Sequence, residues 1–491
     1  TTVLAVLALG LVPGQRLHAQ TPEEALRTET ATLGTSFISR VRFETDFSME
    51  RAASLPLDAS DGVARAAAAE RIAAADLAAA RGQRLPRLSA QVDSAWLANP
   101  MDAVTIPPGS LGELPVATGT TPPTRQVVLP PQETELLPGG EPFVYELGLT
   151  LSQSIWTWGR IDRAVAAARA SRRAATTRRL ALSHGTRAEA GALAERIAIL
   201  DAIGAALEVQ TRAAERLVRI SRENWTNGFV TETVYLDARL SEEDARLARV
   251  SIREQRGNAA DQLRLLLGLD ELPETLIPAE PPQAGRLALD SEETVAAARR
   301  GSWELGALEA AENARQAAED QAAAARVRRP SVGLEAEVGW AGAYSDITAD
   351  SWDERGSWRA SVGVGISGDL FDGGRSEAAF ERAGEQRLQA SIDRRERAEE
   401  IDAALRRRLR RLDTLRARLQ HAAVEESVRR REMEDAQSAR VAGAGGEQEV
   451  LRAIIEHASV VTRGYEYLAE YRGELWAIGA ALGAAAPGMA E

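Results

Sequence analysis

The side chains that could do chemistry are few and scattered. Four histidines, His18, His184, His421 and His457, are spread over 491 residues with no HExxH or other paired spacing, so neither a zinc site nor a nucleophile–histidine–acid triad assembles. Cysteine is absent, and all 59 basic side chains are arginine. That excludes a disulfide framework, thiolate nucleophiles and thiolate metal sites, together with the lysine of a P-loop or a Schiff base. Gly363-x-Gly365-x-x-Gly368 has the spacing of a dinucleotide fingerprint. It lies inside an alternating, strand-like run rather than between a strand and a helix, and is set aside. Asn224-Trp225-Thr226 is a glycosylation sequon by pattern only. Carboxylates alternate with arginine along helical stretches, the pattern of solvated faces. A formal net charge of -13 disfavours nucleic acid as a partner, because phosphate binding needs a basic field. The sequence is therefore read as that of a protein that is not an enzyme, with no catalytic residues, no cofactor and no metal.

Composition turns attention to the scaffold. Hydrophobic residues make up 44% of the chain but aromatic ones only 4%, the profile of long packed helices. The chain also repeats itself. Arg160 and Arg375, Ala238 and Ala453, and Gly268 and Gly483 are all 215 positions apart (375 − 160, 453 − 238, 483 − 268). One spacing without gaps means two copies of one unit whose intervening helices have equal length. Proline-free helices are expected over Ile161–Arg222, Glu232–Leu267, Glu377–Arg440 and Glu447–Leu482, with shorter ones over Asp61–Arg81 and Ser291–Arg328. A helix of about 60 residues is some 90 Å long. The second of each long pair folds back on the first, because the links at Gly228 and Gly443 are short.

Between the short and long helices the period changes to two. Leu88, Ala90, Val92 and Trp96 alternate with polar residues. So do Phe143 to Ile155 on odd positions, Val332 to Tyr344 on even positions, and Trp358 to Leu370 on even positions. Each run has about the length that crosses a membrane at a tilt. Six tryptophans, Trp96, Trp156, Trp158, Trp340, Trp352 and Trp358, lie in or beside these runs, as aromatic girdles would. A soluble sheet with one face on a core has the same alternation, and an exported soluble helical coiled-coil scaffold is the competing reading. No run is apolar for 18 residues, so any membrane span must be a β-barrel. Four strands cannot close one; three chains would supply 12. The segment from Asn99 to Pro142, rich in Pro, Gly and Thr, is expected to be a long exposed loop. Val3 to about Val12, followed by Leu17-His18-Ala19, resembles the end of a secretory signal peptide with a truncated start. The chain then divides into 1–19 signal, 20–60 N-terminal segment, 61–272 first copy, 273–290 linker, 291–483 second copy and 484–491 tail.

The junctions LSQSIWTWGR and ISGDLFDGGR resemble the L-S-Q-P-L-F-x-G-G-R pattern of the TolC outer-membrane factor family. Gly443-x5-Glu449-Val450-Leu451-x-Ala453 is similar to that family's tip motif, G-x5-D-V-L-x-A. The resemblance covers nearly the whole chain after the signal. It implies a mainly α fold with a transmembrane β-barrel: a homotrimer sharing a 12-stranded barrel and a long periplasmic α-helical barrel, in the outer membrane of a Gram-negative-type bacterium. It implies a passive gated duct of a tripartite efflux or type I secretion system. A periplasmic adaptor (membrane fusion) protein would dock on the tips. An inner-membrane transporter of RND, ABC or MFS type would supply the energy, and outer-membrane lipid would surround the barrel. Carried over by position, the docking tips are Asn227, Gly228, Phe229 and Val230, with Ala442, Gly443, Ala444 and Gly445. The periplasmic entrance is Glu449, Arg452 and Asp237; the strand-to-helix junctions are Gly159, Arg160, Gly374 and Arg375; the aromatic belt is Trp96, Trp156, Trp158, Trp340 and Trp358. The family's second entrance acid is Arg452 here, which could pair with Glu449 one turn away.

Overall fold

Long runs free of proline and rich in Ala, Arg, Glu and Leu favour helix at every position, and in the computed structural model they form it. The structure describes residues 37–483 except 97, 99–101, 118–123, 129, 131, 138–142, 328, 345–355 and 370. The signal-like run, the C-terminal tail, Trp352 and Leu370 lie outside the described residues. In chain order the elements are α1 (Glu50–Ala53), α2 (Asp61–Gly82), β1 (Arg87–Trp96), β2 (Val104–Ile106), β3 (Glu113–Ala117), β4 (Thr124–Val128), β5 (Thr134–Leu137) and β6 (Phe143–Trp156). They continue with α3 (Arg160–Thr226), α4 (Glu232–Leu267), α5 (Ser291–Gly301), α6 (Trp303–Arg326), β7 (Ser331–Tyr344), β8 (Gly356–Ser367), α7 (Arg375–Val441) and α8 (Glu447–Leu482). Helices α3 and α7 have 67 residues each, α4 and α8 have 36 each. All four start and end 215 residues from their counterparts.

Two compact units divide the chain, and each takes sequence from both copies. One comprises residues up to 71, 173–312 and from 389 onward; the other comprises 72–172 and 313–388. The first is helical. Along α8 the buried positions Val450, Ile454, His457, Val461, Gly464, Leu468, Tyr471, Leu475 and Ile478 follow steps of four and three, a coiled-coil seam. On α7, Leu412, Leu415, Leu419, Ala422 and Glu426 do the same. Each fully buried leucine in these seams contributes about 1.5–3 kcal/mol.

A strap precedes α1 and binds this seam. Its backbone pairs with the linker, Ala284 N–H donating to Arg40 O at 2.7 Å and Gly285 N–H to Arg42 O at 2.9 Å. Its rings meet α8 edge to face: Phe37 on Tyr465 at 5.3 Å, Phe43 on Tyr471 at 5.7 Å and Phe47 on Trp476 at 5.3 Å. Gly464 is required here, because a Cβ on it would stand 2.3 Å from the Phe37 ring. Under the strap, Arg472 of α8 and Glu195 of α3 form a buried two-pronged ion pair, which Trp476 Nε1 joins at 2.8 Å.

Two departures from the sequence reading have physical causes. Ser291–Arg328 is not one helix: it breaks at Ser302, where Gly301 and Gly483 meet backbone to backbone. A Cβ on Gly483 would lie 1.8 Å from Gly301 O, and one on Gly301 would lie 2.5 Å from Leu482 O. Gly268 ends α4 against Ala59 O in the same way. Arg328 itself lies outside the described residues. The Asn99–Pro142 loop is also more ordered than its composition suggests, for its described part pairs β2 with β5 and β3 with β4. The Val and Thr residues between its turns are good strand formers.

Candidate functional site

The second unit carries an antiparallel sheet of order β1-β6-β7-β8, built from the four alternating runs read in the sequence. Its register sets Leu88 against Leu151, Leu151 against Ala336 and Ala336 against Val362, all on one face. The other face carries Asp93 against Glu146, Thr150 against Glu337 and Glu337 against Ser361. Among the described residues most of the apolar face stays open: Val362 is 78% exposed, Ile366 72% and Val92 69%. A soluble sheet resting on a core would bury these side chains. On the polar face Arg359 crosses two strands to reach Glu337 at 3.3 Å and Glu146 beyond it. Gly339 lies opposite Arg359 in the β7–β8 register. Gly363 and Gly365 are paired with Glu335 and Gly333 in mid-strand, where no helix N-terminus faces a phosphate.

Aromatic residues border the apolar face at both ends. At the end away from the helices, Trp96 pairs with Phe143 and Trp340 with Trp358, and Trp340 Nε1 donates to Tyr145 OH at 2.8 Å. At the helix-proximal end stand Trp156 and Trp158, rings 5.7 Å apart and nearly perpendicular. A β-bulge shifts the register between Ser154 and Trp156 and sets Trp156 against Val332, placing it on the apolar face despite its even number. From Leu147 to Trp156 the strand rises about 30 Å. A strand of that length, if tilted by some 40°, would match the roughly 25 Å apolar band of an outer-membrane barrel.

The junctions repeat one backbone device. Trp158 and Gly159 have φ of 54° and 80°, and Gly373 and Gly374 have 67° and 82°; the left-handed pair turns the strand directly into α3 or α7, which begin at Arg160 and Arg375. In the second copy Asp372 accepts from the Gly374 and Ser376 N–H groups, both at 3.0 Å, an N-terminal cap. The first copy has Thr157 there.

The tips also share a turn. Phe229 N–H donates to Asn224 O and Ala444 N–H to Ala439 O, both at 2.8 Å, with Gly228 at φ 77° and Gly443 at φ 75°. Phe229 is exposed beside Trp225, which stacks on Tyr235 at 5.2 Å. The second tip, Ala442 to Gly445, has no such side chains. Glu449 turns its carboxylate to the Gly446 N–H at 3.3 Å, and among the described residues no ion pair joins it to Arg452, the pairing anticipated from spacing. Arg452 and Asp237 are exposed.

Some polar groups of the helical unit were not singled out by the sequence. Glu447 holds Arg440 of α7 at 3.3 Å and, across hairpins, Arg216 of α3. Glu426 and His457 face each other at 3.5 Å, fully buried, and none of their four side-chain N and O atoms has a hydrogen-bond partner. Burial raises the Glu466 carboxyl above its ordinary range. It does the same to the Tyr471 hydroxyl, which donates to Gly285 O at 3.0 Å. Among the described residues no cluster of three or more potential ligands could hold a metal, and no helix is long and apolar enough to cross a membrane.

Residues 305–484 match the family model described as outer membrane efflux protein. The fold is similar to that of the outer membrane protein VceC of Vibrio cholerae, with TM-score 0.61, 18% identity and coverage of 89% of this chain and 95% of that one. It is similar to the CmeC outer membrane channel of Campylobacter jejuni, with TM-score 0.62, 15% identity and coverage of 98% and 93%. It is also similar to the open-state MtrE outer membrane channel of Neisseria gonorrhoeae, with TM-score 0.60, 16% identity and coverage of 90% and 94%. No curated protein sequence matches. The TolC-family resemblance carried by the junctions and the second tip stands, and the fold is the mainly helical one with a strand region that it implied.

Proposed function

We propose that this chain is an outer-membrane efflux duct, one protomer of a homotrimer that conducts passively from periplasm to exterior within a tripartite efflux or type I secretion system. The observation that carries the reading is the uncovered apolar face of the β1-β6-β7-β8 sheet, bordered at both ends by tryptophan and polar on its reverse. Lipid satisfies such a face and water does not, and a sheet is stable in lipid only when closed. β1 and β8 are its free edges, so closure requires other chains, and three give 12 strands. An exported scaffold in water would leave that face exposed, which disfavours the alternative.

The tips Asn227–Val230 and Ala442–Gly445 receive the adaptor, and an inner-membrane transporter of RND, ABC or MFS type supplies the energy. The helices lie in the periplasm. Glu449, Arg452 and Asp237 lie at the entrance, which opens as the α7–α8 hairpin splays. Cross-links from the second tip to a neighbouring protomer are expected to stop transport; undiminished transport would refute that opening step. The first test is the oligomeric mass of the chain extracted from outer membranes in detergent. A trimer resistant to mild denaturation is expected. A monomer or dimer recovered in water without detergent would overturn the duct.

A further inference from the structure

We propose that Arg329, Trp158 and Trp156 form a binding site for the phosphate of an anionic glycerophospholipid at the helix-proximal border of the sheet. The proposal rests on the sheet being membrane-spanning, and names the lipid that this border selects.

It begins from a strained residue. Trp158 is the one non-glycine at positive φ among the described residues, at 54°, a conformation costing an L-residue about 1–2 kcal/mol. The turn itself does not need a side chain, because the second copy makes it with Gly373 at φ 67°. The strain is retained for what the indole does, and observed strain of this kind is a pointer to a functional position. Two contacts fix the ring. Trp158 Nε1 donates to Pro330 O at 2.9 Å, and the Arg329 guanidinium carbon sits 5.1 Å from the ring centroid. The bulge before Trp156 independently turns a second indole to the same border, on the face shared with Val332. Trp156 is 55% and Trp158 47% exposed among the described residues, so about half of each side chain stays open.

Indoles at the edge of an apolar band sit at headgroup depth. A guanidinium lying over such a ring uses its π face and keeps its in-plane N–H fork for a phosphate, which it can grip with two hydrogen bonds. No carboxylate neutralises Arg329 among the described residues. Asp162 pairs with Arg84, Glu377 with Arg326, and Asp372 with the Gly374 and Ser376 N–H groups, while Asp369 follows Gly368, which packs on Pro330. A guanidinium that holds no carboxylate favours phosphatidylglycerol over phosphatidylethanolamine, whose ammonium offsets its phosphate.

The test is native mass spectrometry of the full chain in detergent, titrated with the two lipids at matched acyl chains, with inorganic phosphate as a separate arm. Wild type is expected to retain phosphatidylglycerol preferentially. Arg329→Gln should lower that preference about fivefold, the equivalent of about 1 kcal/mol for one cation at a membrane surface. Trp158→Gly, which installs the residue the other junction uses, should lose the preference while raising resistance to unfolding. Equal retention of both lipids by wild type and variants would overturn the proposal, as would displacement by millimolar phosphate, which would mark a free-anion site. If the chain proves to be water-soluble, the membrane reading fails first. If it inserts and conducts but shows no lipid preference, this site alone is refuted.

Discussion

Removing one partner of the Glu195–Arg472 pair should destabilise the protein far more than removing both. The carboxylate accepts from Arg472 Nη2 at 2.6 Å, from Nε at 2.8 Å and from Trp476 Nε1 at 2.8 Å. The guanidinium also donates to Gln283 O at 3.2 Å and lies 4.9 Å from the Phe47 ring centroid. Side-chain exposure is 10% for Arg472 and 7% for Glu195, so water replaces little of what either would lose. Arg472→Met strands a buried carboxylate and Glu195→Leu strands a buried guanidinium; each should cost about 3–5 kcal/mol. The double variant leaves no orphan charge and should recover to within about 1–2 kcal/mol of wild type, a strongly non-additive cycle. The exposed Arg431–Glu434 pair, 73% and 49% exposed, is the control, worth about 0–1 kcal/mol. Urea midpoints of the detergent-solubilised protein, followed by circular dichroism and by the fluorescence of buried Trp476, provide the assay. A single variant within 1 kcal/mol of wild type, or a double variant losing the sum of the two, would refute the reasoning.

Three further outcomes are expected. Gly483→Ala and Gly268→Ala would drive a Cβ to 1.8 Å and 1.9 Å from carbonyl oxygens and should cost upwards of about 2 kcal/mol, whereas Gly443→Ala, strained but in open space, should cost only about 1 kcal/mol; urea midpoints distinguish them. Replacing Glu426 and His457 together by leucine should be neutral or stabilising by about 1–4 kcal/mol, while His457→Leu alone, which abandons the buried carboxyl, should destabilise, and the order of the two midpoints is the check. Because burial raises the Glu466 carboxyl, folding favours its protonated form, so its relative contribution is fully present below the unfolded value and is lost as pH rises through the folded one. Glu466→Gln should therefore raise the unfolding midpoint at neutral pH and flatten its pH dependence across that window; an unchanged profile would contradict the shift.

Periodicity made most of the fold legible. The 215-residue spacing anticipated the equal helices, and alternation anticipated the four long strands to within a few residues, because both reflect which face of an element meets water. What it could not show was contact between distant segments. The strap's Phe37, Phe43 and Phe47 have no period of their own, and only the structure seats them on Tyr465, Tyr471 and Trp476. The bulge at Ile155 hid in a regular alternation, since inserting one residue changes a side chain's face without changing composition. His457 was dismissed as isolated, yet it occupies a position in the four-three seam of α8, and Glu426 one in that of α7. Polar residues at seam positions were the missed signal. At the start of α8, spacing suggested a Glu449–Arg452 pair, whereas an unsatisfied N–H at the start of a helix competes for the same carboxylate.

The seam shared by α7 and α8 restricts how this molecule can change size. Each turn of α8 is keyed to a turn in the C-terminal half of α7 through the seam, so a deletion within one alone would slide apolar residues against charged ones along the rest of the hairpin. Cutting seven residues from each at facing positions would preserve the pattern and shorten the hairpin by about 10 Å. Hairpin length is therefore expected to vary among descendants of such a chain, or in engineered versions, in paired heptad steps. The loop holding β2 to β5 lies outside that seam and can lengthen or shrink one residue at a time.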